Sequence, residues 1–119
     1  MTTLKFEDVG RLPHPEDNVA IAIRRLDAGT IITMGNTQFT LPDTVLQGHR
    51  FAVQAIHAGE SLYSWDQPFG IATAEIRPGD YACNEAVIQE LRHRQLDFLP
   101  PSTPNFTDEI APFAFDEAQ

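Results

Sequence analysis

Short runs of apolar residues, each bounded by Gly, Pro or Asp, follow one another along most of the chain. The run at residues 19–23 is rich in β-branched side chains, and its length predicts a buried strand. Runs at 51–56, 62–65 and 71–76 predict three more strands. Short strands with frequent turn signals are typical of a compact, mostly β domain with irregular connections.

Residues 30–34 and 37–41 are two apolar-rich runs separated by Gly35-Asn36, which predicts a β-hairpin. A turn of the form apolar-X-small-Gly-polar precedes this hairpin and recurs twice more. Its three copies are Leu26-Asp27-Ala28-Gly29-Thr30, Ile56-His57-Ala58-Gly59-Glu60 and Ile76-Arg77-Pro78-Gly79-Asp80. Glycine adopts φ > 0 without a Cβ clash, so we expect each copy to reverse the chain, with its apolar residue anchored in the core.

The hydrophobic period changes after the third glycine turn. Asn84 is a favourable N-cap, and Val87, Ile88 and Leu91 have the spacing of one helical face. Residues 85–95 are therefore predicted to form a short amphipathic helix. Basic residues at 92–94 would suit the negative end of its dipole.

The two ends of the chain differ from this central domain, which we place at residues 14–96. Residues 1–13 are expected to be a loose leader. Residues 97–119 form an acidic tail rich in Pro and Phe, with no Lys or Arg. Two interpretations stay open for it: a disordered tail, or an extended arm whose Phe106, Phe113 and Phe115 dock on a partner.

The chain has 119 residues, 17 acidic and 8 basic, for a net charge of −9. One domain is expected from this length. The charge argues against nucleic acid or an anionic membrane as a partner, since both attract Lys and Arg. No apolar run reaches membrane-span length and no signal region precedes the domain, so a cytoplasmic location is expected. The single cysteine, Cys83, excludes an internal disulfide and fits a reducing compartment.

Few residues in this sequence point to chemistry. Gly48-His49-Arg50 stands just before a predicted strand: the histidine could serve as an acid or base and the arginine could hold a carboxylate. The alternative is that His49 is an ordinary surface or hydrogen-bonded residue. Cys83 could be activated by the helix dipole or simply be buried. Asp66 could bind a polar ligand or only form a turn.

No Gly-rich phosphate loop, CxxC pair or HExxH helix is present in the sequence. No H-x-H or D-x-H spacing supplies ligands either, so a metal site within this chain is not expected. The sequence lacks a complete active site. This favours an accessory domain over an enzyme that works alone.

Two segments, HPEDNVAIAIRRLDAGT and LPDTVLQGHRFAVQAIHAGESLYSWDQPFGIATAEIRPGDY, resemble the N-terminal SAF domain of the altronate and galactarate dehydratase family (UxaA family). The shared motifs are a D-N-V-A stretch, small-Gly turns, a G-H-K-like triplet, here Gly48-His49-Arg50, and a Y-G-x-P-I-G-x-A-T-like segment at 65–73. The resemblance implies a β-clip fold, as in type III antifreeze proteins and the C-terminal domain of sialic acid synthases.

The resemblance also implies a role beside a large catalytic part that removes water from a sugar acid with the help of a metal. Some members divide the two parts between separate subunits, as the sulfolactate sulfo-lyases do. The expectation is therefore a small subunit of a split hydro-lyase, with a large dehydratase subunit as partner. His49 and Arg50 would face the carboxylate of the sugar acid. A divalent metal of the Mg or Fe type is expected on the partner, with none in this chain.

Two positions depart from the family pattern. Many members have two histidines after the last glycine turn, where this sequence has Cys83 and Glu85, which makes both weaker site candidates. Arg50 replaces the usual lysine and keeps the positive charge with a different geometry. The alternative function is a non-catalytic SAF module that binds a ligand or mediates oligomerisation. A homo-oligomer stays open in either case.

Overall fold

The computed structural model describes residues 2–108 and confirms a mostly β domain. Within those residues, nine strands form three three-stranded sheets. The strands are β1 (Thr3–Lys5), β2 (Gly10–Arg11), β3 (Val19–Ala22), β4 (Ile31–Met34), β5 (Thr37–Thr40), β6 (Arg50–Ala52), β7 (Ser61–Ser64), β8 (Gln67–Ala72) and β9 (Phe106–Asp108). Two helices, α1 (Phe6–Val9) and α2 (Glu85–Arg92), complete the fold.

The three sheets have the orders β1-β4-β5, β2-β3-β6 and β7-β8-β9. β1 pairs with β4 in parallel, and the other ladders are antiparallel. Two apolar clusters lie between the sheets. The larger contains Phe51 and the buried face of α2, and the smaller contains Leu62 and Phe106.

The chain folds as two similar repeats, residues 22–50 and 52–81. An isolated β-bridge joins Leu26 to Val45 in the first repeat, and its counterpart joins Ile56 to Ile76 in the second. Each repeat holds one hairpin between two glycine turns, β4–β5 in the first and β7–β8 in the second. β6 lies where the first repeat ends and the second begins.

Four glycine turns carry these repeats, at Gly29, Gly48, Gly59 and Gly79, with φ of 90°, 86°, 92° and 98°. This confirms the three predicted turns. The fourth, Val45-Leu46-Gln47-Gly48, lacks a small residue before its glycine and was not recognised as a copy. The apolar residue that begins each turn is at most 1% exposed, so it anchors the turn in the core as expected.

The predicted hairpin around Gly35-Asn36 is confirmed as β4–β5. The strand predicted at 71–76 lies earlier in the chain, because β8 spans Gln67–Ala72 and runs through Pro68 and Gly70. Pro68 lies before the segment that pairs with β9, where β8 has only one neighbouring strand and a missing N–H is tolerated. At Gly70 a Cβ would lie 2.3 Å from the ring of Phe106, so glycine allows β9 to pack closely.

The N-terminal segment differs from the expected loose leader. β1 adds to the first hairpin, β2 pairs with β3, and Val9 between them is fully buried. Local sequence patterns do not predict these elements, because each is only two to four residues long. Their stability comes from pairing with strands distant in sequence.

α2 begins as predicted, with Asn84 Oδ1 accepting from the Val87 N–H at 2.9 Å, and ends at Arg92 rather than 95. Part of the expected extended tail folds back on the domain as β9, where Phe106 is 5% exposed. The Phe106 ring meets Phe69 edge-on at 5.4 Å between centroids. Phe113 and Phe115 lie outside the described residues, so the docking-arm hypothesis for them stays open.

Candidate functional site

The two repeats meet at the segments that follow their last glycines, His49-Arg50 and Asp80-Tyr81. The N–H of Ala82 donates to the carbonyl of Arg50 at 3.0 Å, and a β-bridge joins Phe51 to Tyr81. A cleft opens beside this joint. Its walls come from His49 and Arg50, from α2, from Phe69 of β8 and from β9.

Arg50 lies half-buried in this cleft. Its guanidinium carbon stands 5.2 Å from the centre of the Phe69 ring, within cation–π range. Its Nε donates a long hydrogen bond of 3.4 Å to Ser64 Oγ. Within residues 2–108, no carboxylate forms a salt bridge with Arg50. The charge is thus oriented by neutral groups and remains available to an anion.

His49 lines the same cleft, and its Nδ1 lies 2.6 Å from the hydroxyl oxygen of Tyr81. The two rings meet edge-on, 5.8 Å apart between centroids. Burial lowers the pKa of His49 below its ordinary value of 6.5; Glu90 of α2 opposes that shift, while Arg94 and Arg50 add to it. The imidazole is therefore neutral at pH 7 and can donate and accept one hydrogen bond each.

A family model for the altronate/galactarate dehydratase SAF domain matches residues 12–90. The chain belongs to this family. Altronate dehydratase of Escherichia coli K12 is 38% identical over 66 residues, which is 56% of this chain and 13% of that protein. Altronate dehydratase of Bacillus subtilis 168 is 28% identical over 68 residues, 57% of this chain and 14% of that protein. The chain thus matches only a small part of the length of these relatives.

The two weaker candidates at the end of this SAF domain lie outside the cleft. Cys83 is 1% exposed in the larger apolar cluster, where burial raises the pKa of its thiol to about 12. A protonated, buried thiol is a poor ligand or nucleophile. Glu85 is exposed in the first turn of α2, where it accepts a 2.7 Å hydrogen bond from Gln89 and borders a neighbouring depression.

Asp66 lies apart from His49 and Arg50, at the tip of the β7–β8 hairpin. Its exposed carboxylate stands 3.7 Å from the imidazole Nδ1 of His14. Its backbone N–H donates to the buried carboxylate of Asp17 at 2.8 Å. The structure thus brings together His49 and Arg50 among the five candidates, and places Asp66 in a turn.

Sequence reasoning missed three residues that shape the cleft or the turns. Tyr81 and Glu90 were not considered as site residues, although Tyr81 lies two residues after Gly79, just as Arg50 lies two residues after Gly48. Asp17 was noted only as the first residue of the shared D-N-V-A stretch. Its burial at 0% exposure depends on contacts with residues 65 and 66, and no local pattern signals such a contact.

Within residues 2–108, no group of three or more His, Cys, Asp or Glu side chains is arranged to hold a metal ion. In the same residues, no helix is long and apolar enough to cross a membrane.

Proposed function

We propose that this SAF domain completes or covers the active site of a hydro-lyase that dehydrates sugar acids such as altronate or galactarate. The proposal is supported by the family of the chain and by two related altronate dehydratases, of which this chain matches 13% and 14% of the length. The remainder of those relatives is the natural source of the catalytic machinery. In the finer form of the proposal, that machinery belongs to a separate large subunit and this chain is the small one.

The observation that carries the proposal is the unpaired charge of Arg50 in the cleft. A sugar acid presents a carboxylate, and a guanidinium binds a carboxylate through two parallel, charge-assisted hydrogen bonds. The Phe69 ring and Ser64 hold the Arg50 side chain from behind, which limits its conformational freedom before the substrate arrives. Arg50 would anchor the substrate while the adjoining carbons react.

His49 would contact the same end of the substrate. Dehydration removes a proton from the carbon beside the carboxylate and a hydroxide from the next carbon, so the carboxylate gains negative charge in the transition state. A neutral imidazole at this point can hydrogen-bond a carboxylate or hydroxyl oxygen without a charge of its own. We expect a divalent metal of the Mg or Fe type on the catalytic part, where it would supply further stabilisation of that charge.

The test is reconstitution with a large catalytic chain encoded near this one. The chain is co-purified with that product, and dehydration of altronate and galactarate is measured with and without it, in the presence of Mg²⁺ or Fe²⁺. We expect activity only when both are present, and its loss in Arg50→Ala. Arg24→Ala is the matched control, because Arg24 is exposed and lies outside the cleft.

Full activity of the large chain alone would refute the proposal. Unchanged activity of the complex with Arg50→Ala and with His49→Ala would instead support a module that only binds a ligand or mediates oligomerisation. Size measurement of the isolated chain would then separate these two roles.

A further inference from the structure

Tyr81 is a buried neighbour of the cleft that the proposed function does not yet use. It is 3% exposed, and its hydroxyl oxygen lies 2.6 Å from His49 Nδ1. The imidazole is the hydrogen-bond partner of this hydroxyl within residues 2–108.

The direction of the bond to His49 follows from the hydrogen atoms present. Burial raises the pKa of Tyr81 well above its usual value, so the hydroxyl keeps its proton at neutral pH. If Nδ1 donated to this oxygen instead, the phenolic hydrogen would need another acceptor, and residues 2–108 place none within hydrogen-bond distance.

We infer that Tyr81 is a positioning residue: its hydroxyl donates to His49 Nδ1 and fixes the neutral imidazole in the Nε2–H tautomer. A neutral histidine has one protonated nitrogen, so an acceptor at Nδ1 requires the proton at Nε2. Nε2 is then the ring nitrogen left for the cleft. This deepens the proposed function: His49 meets the sugar acid as a hydrogen-bond donor, and the base that removes the substrate proton is another group.

The charged groups around the pair do not reverse this assignment. Glu90 on α2 and Arg94 just beyond the end of that helix lie near His49, and Arg50 adjoins it on β6. Glu90 pairs with Arg94, which reduces the pull of the Glu90 carboxylate on an imidazolium. The hydroxyl of Tyr81 remains the direct partner of Nδ1.

The test is nitrogen NMR of the isolated chain labelled with ¹⁵N-histidine, using long-range correlations from the ring protons at pH 7. For His49 we expect Nδ1 to resonate as an unprotonated nitrogen and Nε2 as a protonated one. In Tyr81→Phe we expect the two signals to move toward each other as the tautomers mix, and the pKa of His49 to rise. Tyr63→Phe is the control, because Tyr63 is exposed on β7, and it should leave both signals unchanged.

A protonated Nδ1 in the wild-type chain would overturn the inference, whatever becomes of the variant's fold. Unchanged signals in a folded Tyr81→Phe would overturn it as well. These spectra need no catalytic partner, so they are independent of the dehydratase assay. In an active complex, Tyr81→Phe should lower kcat with little change in KM, whereas a complex inactive in every form would refute the proposed function and leave the tautomer assignment intact.

Discussion

The hairpins of the two repeats both close with two-residue turns, but the two turns differ in backbone conformation and in what stabilises them. In the first repeat the turn contains Gly35, with φ of 62°. In the second the turn residues are Trp65 and Asp66, with φ of 59° and 62°. The left-handed region costs an L-residue about 1–2 kcal/mol, and glycine avoids that cost.

A tertiary contact accounts for the difference. The fully buried carboxylate of Asp17 accepts hydrogen bonds from the N–H groups of Trp65, Asp66 and His14, at 2.9, 2.8 and 3.0 Å. Such bonds to a charged acceptor contribute about 1.5–3 kcal/mol each, enough to offset two strained residues. The comparison shows that a turn can be encoded locally, by glycine, or at long range, by one carboxylate.

The largest expected effect is that of removing this carboxylate. Asp17→Ala leaves backbone donors unpaired in a buried place, and we expect it to lower the free energy of unfolding by about 3 kcal/mol or more. Chemical denaturation measures the change. Asp8→Ala is the control, because Asp8 is exposed on α1, and its effect should stay within about 0.5 kcal/mol. Equal losses in the two variants would contradict the role given to Asp17.

The second comparison is between Gly79 and Gly48, which occupy the same position in the two repeats. A Cβ at Gly79 would lie 2.7 Å from the carbonyl oxygen of Thr40, whereas one at Gly48 meets open space. Both have positive φ, so we expect Gly48→Ala to cost about 1 kcal/mol from strain alone and Gly79→Ala about 2 kcal/mol or more. Thermal unfolding of both variants measures this order, and the reverse order would show that the two turns are not packed as described.

The third prediction compares the hairpin tips directly. Gly35→Ala introduces left-handed strain and should cost about 1 kcal/mol. Trp65→Ala keeps strain that is already present, and the Trp65 side chain is 64% exposed, so its effect should be within about 0.5 kcal/mol. The denaturant midpoints of the two variants measure these losses of stability. A larger loss for Trp65→Ala would mean that its indole ring stabilises the fold.

The contrast between local and long-range contacts also explains which features could be predicted from the sequence. The hairpin at Gly35-Asn36, three glycine turns and the Asn84 N-cap depend on neighbours in sequence, and all were predicted. The ordered N-terminal strands, the course of β8 through Pro68 and the docking of Phe106 depend on distant partners and were not.

The residues of the candidate site also differ in whether local sequence or long-range packing determines their position. His49 and Arg50 were selected from a local triplet, and the structure places both in one cleft. Tyr81 was missed because it reaches His49 only when the two repeats meet. The burial of Cys83 likewise comes from packing of the larger cluster.

A smaller effect is expected from pH. The pKa of His49 is lower in the folded chain than its ordinary value of 6.5, so below about pH 6.5 the unfolded state binds more protons and stability falls. His57, whose pKa is raised by Glu75, contributes in the opposite direction. The stability difference between wild type and His49→Gln should therefore shrink as pH falls from 7 to 5.

Denaturation of both proteins at several pH values measures this difference. His57→Gln is the control and should show the opposite trend relative to wild type. A difference for His49→Gln that is independent of pH would mean that the imidazole is not desolvated in the folded chain.

The most direct test of the account is the kcat/KM for altronate of the complex with the catalytic chain, comparing Arg50→Ala, Arg50→Lys and the Arg24→Ala control. If the cleft at the joint of the two repeats holds the substrate carboxylate, Arg50→Ala loses about 100-fold or more, a cost of about 3 kcal/mol for a lost charge-assisted pair. Arg50→Lys should recover part of this loss, and Arg24→Ala should match wild type. Wild-type kcat/KM in Arg50→Ala would contradict the account and remove the cleft from the reaction.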